Sequence, residues 1–188
     1  MPKIEAATVA EHREMRHRAV VENAVRLYLD AGPSGVTPAA VAAATGLARS
    51  SVYQYFATSG ELIGAAVEQL FSDYTREVVA AVEAVGPDPR ERLAAYVQHS
   101  LSAANRNHTA SMNAADLPEE CRDRLAQLHQ TLRSPLRAII AESGVANVDL
   151  TTALAMGAIQ GAVIMVDHGA PVEHVVGPTV EFVARNLA

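Results

Sequence analysis

Residues 37–56 read TPAAVAAATGLARSSVYQYF and contain a dense set of helix start and stop signals. Thr37 followed by Pro38 is typical of a helix start, because threonine caps free N–H groups and proline fits the first turn. Gly46 is typical of a helix end. After a short turn, the residues from Arg49 to Phe56 are predicted to form a second helix. The stretch therefore predicts two short helices joined by a tight turn, a helix-turn-helix.

The second of these helices has two chemically different faces. The apolar residues of the motif are spaced to pack inward: Val41, Ala42, Leu47, Val52 and Phe56. The opposite face is left with Arg49, Ser50, Ser51, Tyr53 and Gln54. Arginine can bind a guanine edge through two hydrogen bonds, glutamine can pair with adenine, and serine can reach a phosphate. The pattern therefore predicts a DNA-reading face.

The alternative for the aromatic residues is burial in the hydrophobic core. We expect Phe56 to be buried in this way. Burying both Tyr53 and Tyr55 would require partners for two hydroxyl groups in a very small domain, so an exposed Tyr53 is favoured.

The rest of the chain is also predicted to be helical, because apolar residues recur at threes and fours and no alternating strand pattern is present. A first helix ends at Gly32-Pro33, and a capping box at Thr58–Glu61 opens a long helix that reaches about Val85. Further helices are predicted over 90–105, 118–142, 149–168 and 172–187, the last bent or split at Gly177-Pro178. The fold class is all-α, with residues 1–60 as an N-terminal helix-turn-helix domain and residues 61–188 as a helical effector-binding and dimerisation domain.

Composition excludes several classes of protein. The 188 residues are 49% apolar and 19% charged, which is typical of a folded chain. A single cysteine, Cys121, excludes multi-cysteine zinc sites, and the histidines show no ligand spacing, so we expect no metal and no cofactor. No nucleophile with an orienting base and no phosphate loop is visible, so we expect no enzyme. The longest near-apolar run, 153–166, is shorter than a membrane span and no secretory signal is seen, so we expect a cytoplasmic protein without membrane contact.

Charge is divided unevenly along the chain. The net charge is −6, but residues 1–60 hold six Lys and Arg against five acids, net +1, and residues 61–188 hold nine Arg against sixteen acids, net −7. The local field governs docking on DNA, so the near-neutral first third remains compatible with a nucleic-acid partner.

From Val20 to Leu62 the sequence resembles the DNA-binding domain of the TetR family of bacterial transcription regulators. The residues in the family's order and spacing are Ala24, Leu27, Gly32, Thr37, Val41-Ala42, Gly46-Leu47, Val52-Tyr53, Tyr55-Phe56 and Glu61-Leu62. The resemblance implies a homodimer on double-stranded operator DNA, and a repressor that a small apolar or amphipathic effector releases. It also implies that Thr37 holds a phosphate, that Arg49 and Tyr53 meet bases, and that Tyr55 meets the DNA backbone.

Two positions depart from the family's pattern. Ala48 stands where a serine usually caps the recognition helix, and Ser59 replaces a lysine that usually neutralises a phosphate. Both departures predict modest DNA affinity. Three arginines of the first helix could supply the missing charge, although glutamates interleaved with them also fit an ordinary solvated face: Arg13, Arg16 and Arg18.

The C-terminal part offers candidates for an effector pocket and for a dimer interface. Side chains that could line a mostly apolar pocket are Phe71, Tyr74, Tyr96, His99, Met112, Met156 and Gln160. Small and apolar residues that would let a second subunit approach closely are Leu154, Gly157, Ala158, Gly161 and Ile164. The alternatives are that the first set is ordinary core and that the second belongs to the buried central helix of a monomer.

A second function also stays open at this point. A helical effector-binding or adaptor module that no longer touches DNA would have the same C-terminal part. Loss of duplex binding on changing Arg49 and Tyr53 would separate a DNA-binding regulator from such a module.

Overall fold

The structure of the chain, a computed structural model, describes residues 9–107, 119–185 and 187. These residues form eight α-helices and no strand, as predicted: α1 (Val9–Ala31), α2 (Pro38–Thr45), α3 (Arg49–Tyr53), α4 (Ser59–Ala84), α5 (Pro89–Asn107), α6 (Glu119–Glu142), α7 (Val148–Asp167) and α8 (Val172–Ala184). The described residues divide into two compact units, one of residues 9–70 and 119–124 and the other of residues 71–107, 125–185 and 187, so that one division falls between Leu70 and Phe71 inside α4. The predicted domain boundary at residue 60 lies in the first turn of the same helix and stays a prediction.

The first unit is organised around α1. This helix packs against α2 and against a 3-10 turn at Pro33–Gly35, and α2 packs against α3. The buried apolar side chains of the unit are Val20, Val21, Ala24, Tyr28, Val36, Val41, Ala42, Val52, Phe56, Leu62, Ile63, Ala66 and Val67. Burial of one such side chain stabilises the fold by about 1.5–3 kcal/mol, so this core fixes α3 in place. Leu47, predicted to be inward, is half-buried because it lies in the turn.

The helix-turn-helix forms from local signals. The Thr37 hydroxyl oxygen accepts a hydrogen bond from the Ala40 N–H at 3.1 Å, and Pro38 opens α2. Gly46 ends the helix with a φ of 70°, a left-handed conformation that favours glycine. The Leu47 N–H then donates to the Ala42 carbonyl at 3.1 Å and turns the chain toward α3.

α3 is shorter than predicted. It ends at Tyr53, whereas the sequence predicted a helix to Phe56. The Gln54 N–H donates to the Ser51 carbonyl and the Tyr55 N–H to the Val52 carbonyl, a tighter winding than that of an α-helix. This last turn leaves Phe56 buried in the core.

α4 begins with the predicted capping box. The Thr58 hydroxyl oxygen accepts from the Glu61 N–H at 3.0 Å, and the Glu61 carboxylate accepts from the Ala57 N–H at 2.7 Å. The sequence Thr8-Val9-Ala10-Glu11 also has the pattern of a capping box, but it begins outside the described residues.

The second unit is a helical core in which α5 packs against α7 and α8, and α7 packs against α8. Asp88 caps α5, and the Asn147 side chain caps α7 by accepting from the Leu150 N–H at 3.0 Å. One cluster of buried apolar residues forms this core: Val78, Val82, Leu93, Tyr96, Val97, Leu101, Leu136, Ile139, Ile140, Ala155, Ile159, Ala162, Val163, Val166, Val175, Val180 and Val183.

α8 continues through Pro178 instead of splitting there. Proline removes one hydrogen bond, to the carbonyl of His174, and that residue is exposed, so water can satisfy the carbonyl. One residue further along, the buried Thr179 hydroxyl donates to the Val175 carbonyl at 2.7 Å.

Candidate nucleic-acid interface and regulatory core

The two faces of α3 divide as the residue types predict. Val52 is fully buried and anchors the helix, whereas Arg49, Ser50 and Gln54 are exposed. Tyr53 is 43% exposed, which makes it one of the few large side chains that the first unit turns toward solvent. Two other predicted DNA contacts are half-buried: Ser51 and Tyr55.

Arg49 and Tyr53 interact with each other one helical turn apart. Arg49 Nη2 donates to the Tyr53 hydroxyl oxygen at 3.2 Å, and the guanidinium carbon lies 5.6 Å from the centre of the tyrosine ring. A guanidinium has five N–H donors, so several stay available for a base edge. The contact holds the flexible Arg49 side chain in one orientation. The side chain would therefore lose less conformational entropy on binding DNA.

Tyr55 is held by a residue that sequence reasoning missed. His17 of α1 makes an edge contact with the Tyr55 ring at 5.9 Å between ring centres, and it stacks on Phe56 at 5.3 Å. The only sequence signal was a histidine within the arginine-rich part of α1, and that signal did not identify its partners. The contact leaves Tyr55 half-buried at the edge of the α3 face.

Thr37 is exposed at the start of α2. Its hydroxyl oxygen accepts the capping hydrogen bond, so its O–H remains free to donate to an acceptor such as a phosphate. A phosphate contact by Thr37 stays a prediction.

The recognition helix lacks a side-chain cap. Ala48 has the extended backbone of an N-cap residue, with φ −67° and ψ 143°, but no side chain accepts a hydrogen bond there. Ser50 does not take over the role, since it lies inside the helix.

Restoring that cap should stabilise the protein. We expect Ala48→Ser to raise the free energy of unfolding by about 1 kcal/mol, because serine can accept from a free N–H of α3. Urea unfolding measures the change. Ala39→Ser, at an exposed helical position of α2, is the matched control and should bring no gain. Equal stability of Ala48→Ser and wild type would contradict the role given to Ala48.

Four of the predicted effector residues come together in the second unit. The Tyr96 hydroxyl lies 3.5 Å from Met156 Sδ, and the Tyr74 and His99 rings have centres 6.0 Å apart. His99 Nε2 is also 3.3 Å from a Glu77 carboxylate oxygen. Tyr96 belongs to the buried core, and Tyr74 and Met156 pack against that core. The cluster combines aromatic faces, a thioether and one carboxylate.

The other three predicted effector residues differ in burial. Phe71 is buried near the start of the unit. Gln160 is exposed on α7, on the side of the helix that carries the predicted dimer residues. Met112 lies outside the described residues. Ligand contact by these three residues stays a prediction.

Burial shapes the chemistry of Tyr96. Its hydroxyl donates to the Leu132 carbonyl at 3.1 Å. Burial raises the pKa of Tyr96 above its ordinary value, Tyr74 adds to the increase, and Arg133 opposes it. The phenol is therefore a neutral hydrogen-bond donor at physiological pH.

This raised pKa predicts a loss of stability in alkali. The folded state holds the Tyr96 proton more tightly than the unfolded state, so the stabilisation is complete below pH about 10 and declines as the pH rises above that value. Above pH about 10, the free energy of unfolding of wild type should therefore fall by up to about 1.4 kcal/mol more per pH unit than that of Tyr96→Phe. Urea unfolding between pH 8 and 11 measures it. Tyr53→Phe, which removes an exposed hydroxyl, should keep the wild-type loss, and identical slopes for wild type and Tyr96→Phe would refute the prediction.

α7 and α8 expose a large apolar surface. Among the predicted dimer residues, Leu154 is 66% and Ile164 47% exposed, and Gly157 and Gly161 are exposed between them. Ala158 is half-buried. Other large apolar residues of α7 and α8 that the prediction omitted are exposed as well: Leu150, Met165 and Phe182. A Cβ built on Gly157 or Gly161 would meet nothing within 4 Å, so the fold of one chain does not require glycine there.

α7 is also the one helix among the described residues that is long and apolar enough to cross a membrane, by length and composition alone. Buried core helices pass the same test. α7 contributes six buried side chains to the second unit: Thr152, Ala155, Ile159, Ala162, Val163 and Val166. The absence of a membrane partner stays a prediction.

The geometry of α2, the turn and α3 defines a helix-turn-helix protein with a polar, solvent-facing second helix. Residues 20–66 match the family model described as "Bacterial regulatory proteins, tetR family". Over these residues the chain is similar to the tetR family, as its sequence motifs predicted.

Two relatives and two solved structures are similar to the chain. The HTH-type transcriptional regulators BetI of Rhizobium meliloti and Brucella canis are 30% and 31% identical to it over 103 and 104 residues, 55% of this chain and 47% and 49% of theirs. The chain thus spans about half the length of these curated relatives in the match. The regulator FadR from Bacillus subtilis, solved with stearoyl-CoA, has a TM-score of 0.73 at 16% identity and covers 89% of this chain and 97% of its own. A protein from Saccharomonospora viridis, solved with choline, has a TM-score of 0.75 at 19% identity and covers 92% and 97%. These two likenesses concern the fold.

Proposed function

We propose that the chain is a cytoplasmic, homodimeric transcription repressor that binds operator DNA through α3 and leaves it when a small effector binds the second unit. The observation that carries the proposal is the face of α3, where Arg49, Tyr53 and Gln54 are solvent-exposed while Val52 is fully buried. A short helix anchored by one face and polar on the other is suited to the major groove.

Base recognition would begin at the N-terminal end of α3. Residues at this end of a recognition helix are the ones that usually reach base edges. Arg49 is the first residue of α3, and its guanidinium suits the two acceptors of a guanine. The Tyr53 hydroxyl accepts from Arg49, and its own proton remains to donate to a base or a phosphate.

A dimer would bring two such helices to successive major grooves. Two-fold symmetric readers bind half-sites about one DNA turn apart, roughly 34–36 Å. Support for a dimer comes from the large apolar side chains that α7 and α8 expose, since exposed apolar residues grouped on one element often mark an interaction surface. We assign the interface to this surface, with Leu154, Gly157, Ala158, Gly161 and Ile164 at its centre.

The effector would act on the cluster of Tyr74, Tyr96, His99 and Met156. Aromatic faces and a carboxylate suit an amphipathic or cationic small molecule. The solved complexes with choline and with stearoyl-CoA suggest two probes of different chemistry. α4 belongs to both units. An effector-dependent shift of this helix would therefore move the two DNA-binding units of the dimer out of register with successive major grooves. A 100-fold weakening of DNA binding requires the effector to bind the DNA-free conformation more favourably by about 2.7 kcal/mol.

Selection of bound fragments from a random duplex library tests the DNA part directly. We expect one enriched sequence with two-fold symmetry. Recovery of no enriched sequence, together with unmeasurable duplex binding at low salt, would favour the alternative, an adaptor module that no longer binds DNA.

The effector part is tested on the selected duplex. Fluorescence anisotropy measures duplex binding with and without choline or stearoyl-CoA, and we expect one of the two compounds to weaken it. Tyr74→Ala should reduce this effect of the compound on duplex binding. Unchanged binding with both compounds would contradict both effector chemistries while leaving DNA recognition intact.

A further inference from the structure

An open groove of about 590 Å³ lies in the first unit between the N-terminal half of α1 and the end of α3. α1 contributes His12, Arg13 and Arg16, and the turn that directly follows α3 contributes Gln54 and Tyr55. We call it the α1–α3 groove. Its side chains carry two permanent cations, an imidazole, an amide and a phenol, which is a donor-rich lining.

The walls of this groove are held together by specific contacts. His17, one turn after Arg13, packs its ring against both Tyr55 and Phe56. Phe56 is buried, so these contacts tie α1 to the end of α3 through the core. The tips of Arg13 and Arg16 remain solvent-exposed. A fixed scaffold with free guanidinium groups is suited to an anion.

The distribution of charge favours a phosphate of the DNA backbone as that anion. α2 has no cationic residue, and α4 begins with Ser59 followed by Glu61, so two elements beside the recognition helix offer no cation at these positions. Arg13 and Arg16 supply positive charge on α1 instead. Glu11 and Glu14, on the same helix, do not line the groove.

The groove is also continuous with the proposed reading face. Gln54 lines the groove and belongs to the exposed side of α3. DNA that places a base edge against α3 would therefore bring flanking backbone toward α1. We infer that the α1–α3 groove binds a DNA backbone phosphate beside the bases that α3 reads, with Arg13 and Arg16 as its ligands. This inference rests on the proposed DNA-binding function and adds to it a site outside the helix-turn-helix.

Salt dependence of duplex binding distinguishes this site from the reading face. Each phosphate contact contributes about 0.9 to the slope of log K against log salt concentration. The double variant Arg13→Ala/Arg16→Ala should therefore lower the slope by about 0.9, and each single substitution should lower it by part of that amount. All three variants should weaken the selected and an unrelated duplex by the same factor. Arg18→Ala is the matched control, because Arg18 is exposed on the same helix but does not line the groove. It should leave the slope unchanged.

A duplex with a neutral methylphosphonate locates the contact. Replacing the phosphates one at a time beside the selected half-site should reveal a position where wild type loses affinity and Arg16→Ala loses none. Circular dichroism melting checks that the variants fold, as expected for substitutions of exposed arginines.

Unchanged slopes for Arg13→Ala and Arg16→Ala, or an equal loss for Arg18→Ala, would overturn the inference. The proposed function would still stand if Arg49→Ala removed sequence preference in the same assay. If wild type bound no duplex at any salt concentration, the proposed function and the groove would fail together.

Discussion

Leu154→Glu should convert the proposed dimer into monomers and weaken binding to the selected duplex by about 100-fold or more. Leu154 is 66% exposed in the single chain, so the substitution removes little packing within the subunit. A charge on each subunit would face its counterpart across the proposed interface and lose hydration there. Two linked DNA-binding units bind a duplex roughly 10²–10⁴ times more tightly than one unit does, and this gain in affinity is lost when the dimer dissociates.

Light scattering after size exclusion measures the mass, and fluorescence anisotropy on the selected duplex measures the affinity. Ala138→Glu introduces the same charge at an exposed position of α6 and should leave both mass and affinity unchanged. If Leu154→Glu remained dimeric, the interface would lie elsewhere, and a monomeric wild type would contradict the symmetric mechanism.

Arg49→Ala should weaken binding to the selected operator by about 5- to 150-fold, equivalent to the 1–3 kcal/mol of a two-pronged base contact. The loss should concentrate at one base pair of each half-site, where discrimination between bases relaxes. Binding to an unrelated duplex should change far less. Arg26→Ala, an exposed arginine of α1 outside α3, is the control and should keep the sequence preference.

Tyr53→Phe tests whether the tyrosine orients Arg49. The variant keeps the ring beside the guanidinium but removes the hydroxyl that accepts from Arg49. In a double-mutant cycle, the loss from Arg49→Ala should be smaller in the Tyr53→Phe background. Additive losses would mean that the two residues act independently, and unchanged binding in Arg49→Ala would contradict the proposed reading face.

Much of the helix-turn-helix was predictable because its boundaries are local. Thr37 and Pro38 specify the start of α2 through capping and a fixed φ, and Gly46 ends it through a left-handed backbone. The end of α3 was not predictable in this way. The residues from Gln54 to Phe56 have helical character, but the chain winds more tightly where Phe56 enters the core, and that requirement belongs to tertiary structure.

The candidate site shows the same division between local and long-range information. Exposure of Arg49, Tyr53 and Gln54 followed from helix periodicity and the burial of Val52. The contact between His17 and Tyr55 joins residues far apart in the chain, and no local pattern encodes such a pair. The α1–α3 groove escaped prediction for that reason. In the second unit, residue type suggested Tyr96 and Met156 as pocket residues, and the structure brings these two together, but residue type also suggested Gln160, which is exposed.

The five residues of α3 are too few to hold a helix in water, because helices shorter than about 12–15 residues are marginal on their own. A synthetic peptide of this segment would be a coil, and the reading surface exists only while the hydrophobic core around Val52 is intact. Local melting of the N-terminal unit would therefore abolish operator recognition without damaging any contact residue. By mass action the reverse also holds, and operator at about 100 times its dissociation constant would protect this unit against melting by about 2.7 kcal/mol.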